Sequence, residues 1–147
     1  MGQQQLLLLV LGIVIVGLAV VVGIQAFSEN QKKANADAMV NDAIRIASDA
    51  QAWKLKPAAF GGGAAATEWT GLTFDQMGYE TGVSYGGYTV GGTEYGNLNG
   101  KYAMTNQTSG PLTITGTSYE SDGTTVLNTV VVTVNGTSPN DITTTVN

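Results

Sequence analysis

The chain has 147 residues, enough for a long helix and one ordinary domain, and it contains no His and no Cys. Those absences exclude Ser-His and Cys-His catalysis, thiolate nucleophiles, imidazole metal sites and disulfides, so an external domain must rely on its core alone. The formal net charge is −5, and its acids are scattered singly over what reads as a solvated surface, with no basic face to attract nucleic acid.

The first twenty-eight residues carry no charge, and the nineteen from Leu6 to Ile24 are unbroken Leu, Val, Ile, Ala and Gly. As a helix, that run spans roughly 28 Å at about 1.5 Å per residue, close to the ~30 Å hydrocarbon core of a bilayer. Residues 1–28 therefore read as an apolar helix for a membrane, or for equally apolar surroundings. Residues 29–56 read as its amphipathic continuation. The polar stretch from Gln25 to Lys33 contains no Pro, and beyond it Ala36, Met39, Val40, Ala43, Ala47, Ala50 and Trp53 recur at three- and four-residue spacing, with Ile44 and Ile46 beside them. Asp37, Asn41, Asp42, Arg45, Asp49 and Lys56 fall on the opposite face. Lys54 and Lys56 suit the negative end of the helix dipole, and Pro57 biases Lys56 away from helical angles. The pattern predicts one uninterrupted helix from about residue 3 to about residue 55. Gly12, Gly17 and Gly23 are its soft points, each about 1 kcal/mol worse than Ala.

Residues 57–66, with Gly61-Gly62-Gly63-Ala64-Ala65-Ala66, read as a low-complexity linker. Residues 67–147 read as a β-rich head. No Thr precedes Thr67 and nineteen occur from there on, and Thr suits pleated, half-exposed surfaces better than helices. Lys101 is the single cation after Lys56, against seven acids. Short strands are expected around Glu68–Phe74, Ser84–Val90 and Thr93–Tyr95. A three-strand antiparallel meander is expected from Leu112–Tyr119, Val126–Val134 and Ile142–Val146. Asp122-Gly123 and Asn135-Gly136 separate these runs as hairpin turns. Val126, Val130, Val132 and Val134 share a face that can pack on the amphipathic half of the helix. The fold class is α+β.

Few motifs point to chemistry. Gly91-Gly92-Thr93-Glu94-Tyr95-Gly96 lacks the Lys and the following helix of a phosphate loop and reads as a turn between strands. Asp122 with Glu120 is the one local candidate for a calcium site, but Asp122-Gly123 is better explained as a turn. No catalytic residue, metal or cofactor is expected. Asn106-Gln107-Thr108 and Asn135-Gly136-Thr137 are sequons, so Asn106 and Asn135 are candidate glycosylation sites, the second on an expected exposed turn. The positive-inside rule applied to Lys32 and Lys33 would keep the head in the cytoplasm, against its Thr-rich, sequon-bearing character. The conflict disappears if a basic leader has been removed from the N-terminus.

This layout resembles the type IV pilin superfamily: pilins, type II secretion pseudopilins, and archaeal pilins and flagellins. The unbroken apolar stretch from residue 6, the amphipathic continuation ending in the low fifties, and the β-rich head carry the resemblance, with useful specificity over about the first 56 residues. It implies a basic leader cut by a membrane prepilin peptidase, with Met1 or Gln3 as the mature N-terminus. If Met1 is that residue, Gln5 falls where bacterial pilins carry a Glu that meets a neighbour's amine. The chain also lacks the Pro in the low twenties and the disulfide common in bacterial pilins, and Gln after the cleavage site with no Glu looks closer to the archaeal branch, or to a divergent bacterial one.

The resemblance implies a structural subunit of an extracellular filament on the cell surface. Such a subunit is a helical homopolymer held by its apolar helices, with Met1 and Gln5 as assembly residues and no enzymatic activity. Its precursor would sit in the cytoplasmic membrane. Moving a helix from lipid to a bundle gains little hydrophobic energy, so an ATP-driven assembly machine is implied as a partner. The rivals are a type II secretion pseudopilin and a single-pass membrane-anchored binding module.

Overall fold

The computed structural model describes residues 2–85, 87–105 and 107–147. It contains one α-helix, α1 (Gly2–Leu55), and five strands: β1 (Tyr95–Gly96), β2 (Lys101–Thr105), β3 (Leu112–Tyr119), β4 (Val126–Val134) and β5 (Ile142–Val146). The strands form one antiparallel sheet in sequence order, so the fold is α+β as expected. The chain divides into two compact units between Ala34 and Asn35, inside α1.

The helix is continuous because no Pro interrupts it before Pro57. The many Val and Ile of its first half lower helix propensity by only tenths of a kcal/mol each. In residues 35–147 the helix buries Met39, Ala43, Ile46, Ala47, Ala50 and Trp53. The sheet answers with Tyr102, Leu112, Ile114, Val130, Val132 and Val134, and Trp69, Leu72 and Phe74 complete the cluster. The three alanines let the helix approach the sheet closely. Gly100 and Gly116 leave room for Met39, whose Cε would lie 3.3 and 3.2 Å from a Cβ at those positions.

Two polar links set the direction of β4 against α1. The Asn128 amide donates to Asn35 Oδ1 at 3.0 Å, and the Gln51 amide donates to the Gly136 and Ser138 carbonyls at 2.8 and 2.9 Å. From Asn35 to Gln51 the helix advances about 24 Å, and from Asn128 to Gly136 an extended chain advances about 26 Å. The two match, so β4 runs alongside the helix in the same direction.

The meander forms with the expected pairing. The β3–β4 turn places Gly123 at φ +70°, where glycine carries no Cβ penalty. Several details differ from expectation. Val126 pairs with Tyr119 beyond a bulge and is exposed, so Asn128 takes the inward position next to Val130. Asn135-Gly136 does not make a two-residue turn. The β4–β5 connection includes a 3₁₀ turn, Pro139–Asp141, closed by a capping box in which the Asp141 carboxylate accepts from the Ser138 amide at 3.0 Å. That box holds the loop, so the Asn-Gly pair need not adopt left-handed angles. Glu68–Phe74 and the described residues of Ser84–Val90 are not strands. They bury Trp69, Leu72, Phe74, Tyr88 and Val90 through successive turns, with left-handed residues at Glu68, Gly71 and Gly87. The strand expected at Thr93–Tyr95 is found slightly later, as β1 (Tyr95–Gly96), and a further strand lies at Lys101–Thr105, where only Tyr102 is fully buried.

Residues 57–66 fold back onto the end of α1. The Gly63 amide donates to the Trp53 carbonyl at 2.9 Å, Trp53 Nε1 donates to the Gly61 carbonyl at 3.2 Å, and Lys54 Nζ donates to the carbonyls of Gly63 and Ala66. A Cβ on Gly63 would overlap the Trp53 ring. The glycine run therefore serves close approach as well as chain flexibility.

Candidate assembly surface

The apolar half of α1 has no cover of its own. Every Leu, Val and Ile from Leu6 to Ile24 is 51–70% exposed, on all sides of the helix. Gly12, Gly17 and Gly23 face open space. One helix is long and apolar enough to cross a membrane, with a mean hydropathy of 3.2 in its best window. Isolated soluble proteins rarely expose apolar patches beyond a few hundred Å². The segment therefore requires lipid or other protein around it.

Gln5 is exposed on this helix, and no hydrogen bond of its side chain occurs among the described residues. Its neighbours one turn along are Leu8 and Leu9. Inside a bundle, an unpaired amide would cost about 1–3 kcal/mol, so a partner on another copy is expected, and the pair would fix helix register. If copies of this helix bundle into a filament, Gln5→Leu should lower filament yield in the native host, and Gln5→Glu should not raise it strongly. Equal yield from Gln5→Leu would remove the registration role. Met1 and Asn106, the other expected assembly and glycosylation positions, lie outside the described residues. Asn135 is exposed at the start of the β4–β5 connection, its amide donating to the Asp141 carbonyl at 2.9 Å.

A polar cluster missed by periodicity joins the helix to the sheet. Asp42 and Asp49, assigned from the sequence to the solvent face, instead flank the buried stripe. Asp42 Oδ2 accepts from Asn97 Nδ2 at 2.8 Å, Asn99 Nδ2 at 2.7 Å and the Tyr102 hydroxyl at 3.0 Å. Asn35 Nδ2 donates to the Asn99 carbonyl at 3.0 Å, and the Tyr79 hydroxyl donates to Asp49 Oδ2 at 2.5 Å. Asx clusters at 35, 97 and 99 were the available signal, but only a fold brings residues so far apart together.

Burial raises the ionisation of Tyr79, Tyr88 and Tyr102 above the ordinary phenol value. The Asp49 carboxylate adds to this at Tyr79, neighbouring tyrosines at Tyr88, and the Asp42 carboxylate at Tyr102. Their neutral forms thus favour the folded state. This stability is complete below about pH 10 and is lost as unfolded-state tyrosines ionise above it. Thermal melts of the detergent-solubilised chain should fall steeply above about pH 10, and Tyr102→Phe should flatten that fall. An equally steep fall in the Phe variant would contradict the assignment.

No family model, curated protein or solved structure matches this chain. The likeness to type IV pilins rests on architecture: one long N-terminal apolar helix followed by an antiparallel sheet.

Other polar groups are committed to structure. A cleft of about 350 Å³ is lined in part by Asp75, Thr81, Thr93 and Glu94. There Asp75 accepts from the Thr81 hydroxyl at 3.1 Å, and Glu94 accepts from the Gly91 amide at 2.7 Å and pairs with Lys101 at 3.4 Å. Asp122 is occupied by its own turn. The Thr125 hydroxyl and amide and the Thr124 amide donate to it and hold its carboxyl well below the usual range. Among the described residues no group of three acids is placed to hold a metal ion.

Proposed function

We propose that this chain is the structural subunit of an extracellular, type IV pilin-like filament, with its apolar helices bundled in the core and its β-rich heads on the surface. The observation that carries the reading is the helix from Leu6 to Ile24, exposed on every side and joined without a break to a segment that anchors a folded head. A single span in lipid would satisfy the same helix, so a membrane-anchored binding module is the second reading. A pseudopilin, with the same architecture in a short piston, is the third.

Fifteen Leu, Val and Ile side chains lie in that run. At about 1.5–3 kcal/mol each, exposing them to water costs on the order of tens of kcal/mol per copy. A polymer buried this way releases copies only into another apolar phase. The acidic, Thr-rich head, its Asn135 sequon exposed, suits an outer surface. Prepilin peptidase and an ATP-driven machine remain the proposed partners.

Shearing intact cells and pelleting the supernatant tests this. A filament subunit appears in the sheared, sedimentable fraction without detergent. A membrane-anchored module stays with the membranes until detergent is added, and a pseudopilin stays within the envelope.

A further inference from the structure

The two edges of the sheet differ. β1 is two residues long, and Thr81 bridges Tyr95 on its outer side. β5 is five residues long and pairs with β4 on one side only. Thr129 and Asn147 exchange both backbone bonds, at 2.9 and 3.1 Å. Bonded pairs alternate along an antiparallel ladder, so Thr143 and Thr145 also turn their backbone groups to β4. Ile142, Thr144 and Val146 turn theirs outward, where no backbone partner meets them among the described residues. Exposed edges are commonly guarded by Lys, Pro, a bulge or a covering loop. Ile142-Thr143-Thr144-Thr145-Val146 has no charge and no Pro, and its register with β4 is unshifted. Its core-facing side is also bare. Ile142, Thr144 and Val146 share the face of Val134, Val132 and Val130, yet Thr144 is exposed and Val146 is 50% exposed. An open row of backbone donors and acceptors fits another strand.

The sequence of β5 points to which strand. Read in either direction it has the same pattern: an apolar β-branched residue, three threonines, an apolar β-branched residue. Set against itself antiparallel about Thr144, it places Ile142 opposite Val146, Thr143 opposite Thr145, and Thr144 opposite Thr144. Apolar meets apolar and Thr meets Thr, on both faces. In that register every outward-turned residue meets an outward-turned residue, and each such pair exchanges two hydrogen bonds. A slip of two residues leaves one of the three outside the pairing. A slip of one sets outward groups against residues already bonded to β4.

We propose that β5 of one head pairs with β5 of a second copy across a two-fold axis at Thr144, and that this contact ties neighbouring filaments side by side. The joining of filaments rests on the filament reading above; the pairing itself does not. The contact is isologous and closes at two copies. It also fixes direction. β5 runs antiparallel to β4, and β4 runs with residues 35–55 of α1, so the pairing sets these helical segments of the two copies in opposite directions. Copies related by rotation and rise along one filament share a direction, so the second copy belongs to a neighbouring filament that runs the other way. A five-residue strand is too small to hold free heads together tightly. Repeated along two filaments, the contact gains from effective concentration.

The chain has no cysteine, so an introduced thiol is unambiguous. Position 144 meets itself in a bonded pair, where Cα atoms stand about 5.5 Å apart, within disulfide reach. Position 143 is diagonal to itself at about 7–8 Å, beyond that reach. Filaments of Thr144→Cys, mildly oxidised and run on a non-reducing gel, should give dimers and nothing larger. Those of Thr143→Cys should stay monomeric. By microscopy, parental filaments should lie in bundles. Thr144→Lys sets like charges face to face and should disperse the bundles into single filaments, while the melt of the detergent-solubilised chain is unchanged. Single filaments from the parent, undiminished bundles from Thr144→Lys, or dimers from Thr143→Cys would overturn the pairing and leave the filament reading intact. So would monomeric Thr144→Cys in visible filaments, which would leave the open edge to a foreign strand. If the chain forms no filaments, the filament reading and the side-by-side joining fail together. The two cysteine variants, concentrated in detergent and oxidised, then still decide the pairing: dimers from Thr144→Cys alone support it, and monomers from both overturn it.

Discussion

Ile15→Asp should abolish filaments. Ile15 sits mid-way along Leu6–Ile24 and is 57% exposed on the helix; in the proposed filament it is covered by lipid before assembly and by neighbouring helices after it. An aspartate at the centre of an apolar helix costs about 2.5–3.5 kcal/mol in a bilayer. In a close bundle, every copy brings the same uncompensated charge, so the penalty recurs at each contact. Ile15→Val removes one methylene and costs about 0.5–1.5 kcal/mol, leaving assembly largely intact. The head should be unaffected in both variants. Filaments from Ile15→Asp at the parental level, counted by negative-stain microscopy, would show that this helix does not form the core.

Asp42→Ala should produce the largest loss of head stability from a polar substitution. Three donors, from Asn97, Asn99 and Tyr102, converge on the one oxygen Oδ2. Removing it strands a buried hydroxyl and two part-buried amides at about 1–3 kcal/mol each, an estimated 3–5 kcal/mol in total given partial access to water. For a unit of this size, that is roughly 10–20 °C in melting temperature. Asp42→Asn keeps one acceptor oxygen and should lose less than half as much. If Asp42→Ala melts within a few degrees of the parent, the cluster is solvated and contributes little.

The helix was legible because its signals are local: a run without Pro, an apolar stretch without charge, then a three- and four-residue stripe. The meander was legible because Val130, Val132 and Val134 alternate and Asp122-Gly123 marks the turn. The segment from Thr67 to Gly100 was not legible. Its buried residues Trp69, Leu72, Phe74, Tyr88 and Val90 reach the core through glycine turns, and neither a period of two nor one of 3.6 describes them. Asp42 and Asp49 were misplaced for a related reason. Charge at a helical position suggests solvent, yet both sit at the margin of the stripe, where Asn and Tyr donors from the sheet reach them. Of the assembly surface, the apolar extent could be read from composition. The clamp of Asn35, Asp42, Asn97, Asn99 and Tyr102 could not, because its parts lie far apart in the chain.

The most direct measurement is a helical reconstruction by electron cryomicroscopy of filaments sheared from the native cell. For the proposed filament, an axial bundle of helices is expected in which Leu6–Ile24 is covered by neighbouring copies, with the β-heads outside. Filaments built from head contacts alone, with Leu6–Ile24 left in lipid or exposed at the surface, would contradict it.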